Sequence, residues 1–245
     1  VRRGGHRHLG RWWPIAWALA AACLGCAAGR VEPAGAGALW AIVSTCVDHG
    51  TRDYCGCAAF ARSCCSDPAT PDADVVWART KRFVAIRDLK MCGCPAGFVA
   101  GLALPRTRVT GIEDTRRPDG VWPFAWDAAR ARIPDERQIG LAINPKDART
   151  ENQLHVHLLR LRPEARAWID SSDTPGPARA IVIPLANLET VFTTVQARVG
   201  AAHMADTGIL VARARAGGWV AVVTDRTSPQ AFTINRCRPA DQGVS

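Results

Sequence analysis

The chain has 245 residues, 48% of them hydrophobic and 22% charged, which suits one sizeable core and excludes a disordered chain. The formal net charge of +9 favours anionic partners. No arginine-rich block with interleaved aromatics appears, so nucleic acid is not an expected partner.

In chain order, Arg2, Arg3, Arg7 and Arg11, with His6 and His8, form a basic flank over residues 1–11. An apolar run from Trp12 to Ala28 follows and ends at Arg30. A basic flank before a short apolar run and small residues reads as a signal anchor or a cleaved signal peptide. The expected organisation is a transmembrane signal anchor over 12–29, a linker over 30–37 and one domain over 38–240. Basic residues before the run and few after it predict that the domain leaves the cytoplasm. The expected location is therefore the cell membrane, with a single-pass anchor. The alternatives are a secreted or periplasmic protein after cleavage and lipidation of Cys26.

Residues 38–47 are apolar without a breaker and predict a short helix. Residues 48–74 are rich in Cys, Gly, Asp and Pro and predict a disulfide-stapled loop. Ten cysteines are present, two of them in the N-terminal segment. Outside the cytoplasm they are expected to form disulfides. Zinc is the alternative, because Cys55-Gly56-Cys57 and Cys92-Gly93-Cys94 look like ligand pairs with His49 nearby, and Cys64 and Cys65 lie between them. Structural zinc sites usually space their cysteines more widely than that.

Strands are predicted over 83–87 and 98–104, with a turn over 92–97 between them. A polar connection over 111–120 leads to a helix over 124–132, ended by Pro134. Strands over 139–143 and 153–161 flank the turn at Asn144-Pro145. Pro163 opens a short helix through Trp168, residues 173–177 break the chain, and 188–199 tolerate a helix. A hairpin over 208–214 and 219–224 turns at Gly217-Gly218, and a last strand spans 231–234. The order of hairpin, helix and hairpin predicts an α+β fold on an antiparallel sheet.

The chemistry concentrates at Asn152-Gln153-Leu154-His155-Val156-His157-Leu158. Residues two apart on a strand share a face, so Gln153, His155 and His157 are expected on one side and the leucines and Val156 on the other. Four readings compete for the histidines: residues with no role, zinc ligands joined by His49, His203 or a carboxylate, contacts in a binding module, or a nucleophile for phosphoryl transfer. The preceding loop, Asn144-Pro145-Lys146-Asp147-Ala148-Arg149-Thr150, favours the last. It delivers an amide, two cations and a hydroxyl beside the histidine strand, and phosphate oxygens need donors and positive charge. A solvated turn is the duller reading for Lys146 and Arg149.

Residues 141–157, from Leu141-Ala142-Ile143-Asn144-Pro145 to His155-Val156-His157, followed by Leu161-Arg162-Pro163, resemble the signature of CDP-diacylglycerol pyrophosphatases. These are membrane-tethered members of the histidine-triad (HIT-like) superfamily. Further landmarks agree in order: Ala38-Leu39-Trp40-Ala41-Ile42-Val43 before Cys46, Phe83-Val84-Ala85-Ile86-Arg87-Asp88, Leu104-Pro105, Thr110-Gly111-Ile112-Glu113-Asp114, and Cys237. The resemblance spans about residues 38–237. It implies a HIT-like antiparallel sheet with flanking helices. It also implies hydrolysis of CDP-diacylglycerol to CMP and phosphatidate, with the lipid substrate and the membrane as partners.

The superfamily pattern is His-x-His-x-His, with the middle histidine as nucleophile. Here Gln153 stands first, His155 in the middle and His157 third. The resemblance makes His155 and His157 catalytic and gives Asn144, Arg149, Thr150 and Gln153 roles in substrate binding. It implies no metal and no other cofactor. Two further readings stand beside it: a HIT-like nucleotide hydrolase or nucleotidyl transferase on a soluble substrate, and a non-catalytic exported nucleotide- or lipid-binding protein. The sequence leaves the oligomeric state open.

Overall fold

In the computed structural model the described residues are 36–47, 75–91, 94–95, 97–171 and 180–237. The anchor expected over 12–29, the cysteine loop over 48–74 with His49, Cys92 and the break at 173–177 lie outside them. Among the described residues no helix is long and apolar enough to cross a membrane.

The first helix, α1 (Ala38–Ala41), continues as a π-helical turn over Ile42–Cys46. Strands β1 (Val76–Arg79), β2 (Phe83–Arg87) and β3 (Ala100–Pro105) follow, then helix α2 (Val121–Arg130). Next come β4 (Ile139–Ile143), β5 (Val156–Leu161) and helix α3 (Pro163–Ser171). The second half holds β6 (Ile181–Leu185), helix α4 (Val191–Val199), β7 (Thr207–Arg213), β8 (Trp219–Asp225) and β9 (Thr233–Ile234). Among the described residues nine strands join one sheet in the order β1-β2-β3-β5-β4-β7-β8-β6, with β9 paired to β5. Every pairing is antiparallel, as the order of elements predicts.

Alternation along the strands divides the core between the two faces. On one face Leu141, Ile143, Val156, Leu158, Val211 and Val223 pack under Trp122, Trp126 and Phe192 of α2 and α4. The other face carries two separate clusters. Leu39, Ile42 and Val43 cover Val84, Ile86, Leu102 and Leu104 at one end. Ala165 and Ile169 cover Ala142, Leu210, Ala212 and Val222 at the other. Of the β5 residues on this second side, Leu161 joins the second cluster, while His157 lies between the two.

Two boundaries near the site and two whole strands differ from expectation. The histidine strand begins at Val156 rather than Gln153. Helix α2 begins at Val121, because Pro123 falls in its first turn, where a missing N–H is harmless. Two strands went unpredicted, β1 and β6. Strand β6 carries Pro184, which normally argues against a strand; it occupies the sheet edge, where proline is tolerated. The predicted hairpin turn is present, with Gly217 and Gly218 at φ +93° and +75°.

Candidate active site

His157 is paired across the sheet with Leu102 of β3 and Ala142 of β4. Both neighbours belong to the second face, and neither carries a polar atom on its side chain. His155 comes one residue before β5, as Asn144 comes one residue after β4, its antiparallel neighbour. The two imidazoles meet edge to face, with ring centroids 4.7 Å apart. Their exposures are only 8% and 5%, so the pair sits in a low-dielectric floor.

His155 Nδ1 lies 2.7 Å from the Gln153 carbonyl oxygen. A carbonyl can only accept, so Nδ1 carries the hydrogen and donates. Nε2 is then left with its lone pair, aimed away from the backbone. Burial pushes the His155 pKa below the ordinary histidine value. The Gln153 hydrogen bond and the Asp88 carboxylate oppose that shift, while Arg149 and Lys90 add to it. His157 is lowered further, first by burial, then by His155 and Lys90. Its Nε2 is buried with no hydrogen-bond partner. A buried ring nitrogen without a partner is rare in folded proteins and marks a position that a ligand atom could satisfy.

The expected binding residues divide into two groups. Asn144 is buried at the end of β4, and its Oδ1 accepts from Ser228 Oγ at 2.7 Å. Arg149 reaches His155 electrostatically, but its guanidinium is clamped by Glu113, with Nη1 to Oε2 at 2.7 Å and Nη2 to Oε1 at 2.6 Å. The clamp is close: a methyl group added at Gly111 would lie 1.9 Å from Arg149 Nη1. Arg149 hydrogen-bonds and pairs with Glu113, and these effects outweigh desolvation to hold the Glu113 carboxyl below its usual range. Thr150 is exposed and makes no hydrogen bond among the described residues.

Gln153 lies elsewhere than its motif position suggests. It is fully buried. Its Nε2 donates to the carbonyls of Pro105 and Thr107, both at 3.1 Å, and its Oε1 accepts from Val109 N–H at 3.3 Å. The amide thus fastens the loop after β3 rather than lining the histidine face. His203 is exposed on the 3-10 turn before β7. Among the described residues no cluster of three His, Cys, Asp or Glu side chains could hold a metal ion. Cys94 is bonded to Cys237 in a disulfide, with 5.6 Å between Cα atoms, which takes it out of any metal-ligand pair.

The sequence reading missed Glu113, Asp88, Lys90 and Ser228 as parts of this neighbourhood. Glu113 and Asp88 fall inside motifs already singled out. Nothing in the sequence links Ser228 to Asn144.

The family model described as CDP-diacylglycerol pyrophosphatase matches residues 34–237. The chain belongs to that family. CDP-diacylglycerol pyrophosphatases are hydrolases, so the neutral, oriented imidazole belongs to an enzyme that splits a phosphoric anhydride. The matched stretch runs from the segment before α1 to Cys237 and contains every site residue named above.

Proposed function

We propose that this CDP-diacylglycerol pyrophosphatase works through a CMP-histidine intermediate on His155, on a HIT-like sheet. The observation that carries the proposal is the 2.7 Å hydrogen bond from His155 Nδ1 to the Gln153 carbonyl, within a desolvated pair. It holds the tautomer whose Nε2 can attack. In the first step Nε2 forms a bond to the cytidylyl phosphorus and the bridging P–O bond breaks. Phosphatidate leaves with that electron pair, and a phosphate monoester needs little protonation to depart. In the second step water attacks the same phosphorus. The P–N bond breaks, CMP leaves, and the proton lost by water is released, returning neutral His155.

His157 sits where its unsatisfied Nε2 can hydrogen-bond a non-bridging oxygen. Burial favours its neutral form, so it serves as an N–H donor rather than a charged clamp. Asn144 supplies a second donor. Arg149, neutralised by Glu113, acts through its place in the loop, and Gln153 by holding the chain that carries the accepting carbonyl. Residues 12–29 tether the domain to a membrane, with the domain outside the cytoplasm. CDP-diacylglycerol keeps its acyl chains in the bilayer, so a tether raises the local concentration of enzyme over its headgroup. The positive net charge adds attraction to anionic lipid.

CMP release from CDP-diacylglycerol by wild type and His155→Ala tests the proposal. Loss of about a thousandfold or more in kcat/KM, with a labelled CMP–protein adduct trapped in wild type alone, is expected. Undiminished turnover in the variant overturns it.

A further inference from the structure

Ser228 lies on the turn between β8 and β9, 84 residues beyond Asn144 in the chain. Its Oγ accepts from Gln230 N–H at 3.3 Å and donates its own proton to Asn144 Oδ1 at 2.7 Å. The reverse orientation of the amide would leave the serine proton without an acceptor. With Oδ1 occupied, the Asn144 NH2 group turns away from Ser228, and among the described residues it has no partner.

The turn that carries Ser228 is fixed from several sides. Thr224 Oγ1 donates to the Thr227 carbonyl at 2.6 Å. Arg226 N–H donates to the Asp206 carbonyl at 2.7 Å, with Arg226 in the left-handed region at φ 52°. Gly208, paired with Thr224 across the sheet, leaves room for the turn to rest on the strands. A Cβ there would lie 2.4 Å from Thr224 Oγ1 and 2.8 Å from both Pro229 Cδ and the Thr227 carbonyl oxygen. The turn therefore arrives at Asn144 already in place.

We propose that Ser228 is a positioning residue that sets the sense of the Asn144 amide, so that the site shows the substrate an N–H donor and not a carbonyl. A diphosphate offers only acceptors. An Asn144 amide flipped the other way would set oxygen against oxygen in a buried floor. The inference rests on the reading of His155 as the cytidylyl acceptor, and it adds a residue from the second half of the chain to that site.

A double-mutant cycle tests it, with kcat/KM for CMP release and the inhibition constant of CMP read in wild type, Ser228→Ala, Asn144→Ala and the double variant. In wild type Ser228→Ala lowers kcat/KM about tenfold; in the Asn144→Ala background it changes kcat/KM less than twofold. Ser228→Thr, which keeps the hydroxyl, retains most of the activity and controls for packing. Equal losses in both backgrounds overturn the proposal, because a purely structural serine would not depend on Asn144. Retained turnover in His155→Ala counts against the site itself. Its loss in His155→Ala together with an additive cycle counts against the Ser228 role alone.

Discussion

Burial acts on the His155 ring in one direction, and the Gln153 carbonyl and Asp88 act in the other; burial prevails. The pH dependence follows with a definite sign. As pH falls through the folded pKa, which lies below about 6.5, His155 gains a proton and loses its nucleophilic lone pair. We expect kcat/KM to have an acid limb below the ordinary histidine range. The same shift makes the buried pair a source of acid instability. Its contribution is complete above the unfolded pKa and is lost as pH falls through the folded value. Rate profiles and thermal melts measured at matched pH separate the two effects.

Arg149 makes a second prediction at this scale. Its side chain is only 5% exposed and its charge is matched by Glu113. Glu113→Gln leaves that guanidinium without its counter-ion in the interior. A loss of about 2–3 kcal/mol is expected, discounted for the partial exposure of Glu113, and a melt would read it as a lowered Tm. Replacing both residues with apolar ones recovers part of the loss. If Glu113→Gln melts like wild type, Arg149 is not bound by this pair.

At the scale of elements, β5 carries both His157 and part of the core. Val156 and Leu158 sit in the cluster under α2, while His157 faces the other way. Leu158→Ala removes a fully buried side chain from the middle of the sheet and is expected to lower stability by about 3 kcal/mol. Denaturant unfolding measures that loss. Helix α1 is tied to the motif loop by two bonds. Leu39 N–H donates to Glu151 Oε2 at 3.1 Å and Asn152 N–H to the Ala36 carbonyl at 2.7 Å. Glu151→Ala removes a charged acceptor from the start of that helix and should cost about 1 kcal/mol.

The histidine face was legible in the sequence because period-two alternation and motif spacing are local signals. Strand β4 was legible for the same reason. Strand β1 was hidden because its residues Val76-Trp77-Ala78-Arg79 show no clear alternation, and it pairs across a register shift. Strand β6 was hidden by Pro184. The role of Gln153 was misplaced because the chain leaves strand geometry before Val156, so the alternation that places His157 does not extend to residue 153. The Ser228 contact was invisible because it is made by tertiary packing alone.

Across the whole molecule, the sheet joins segments far apart in sequence. Strand β4 pairs with β7, and β5 with β9. The Cys94–Cys237 disulfide closes a sequence separation of 143 residues beside these strands. Constraining so long a loop in the unfolded chain contributes about 3–5 kcal/mol. Cys237→Ser should lower the Tm of the oxidised protein, and Cys94→Ser should lower it by a matching amount. A variant that melts like the oxidised wild type would remove the bond from the stability account.

The turn bearing Ser228 is made late in synthesis, long after both imidazoles have left the ribosome. A nascent chain stopped at the end of α3 would already carry His155 and His157, yet β4 would lack its β7 neighbour and Asn144 its serine. Translation order thus separates possession of the imidazoles from completion of the sheet around them. The imidazoles are made first, and the long-range pairings that enclose them form only when distant strands meet.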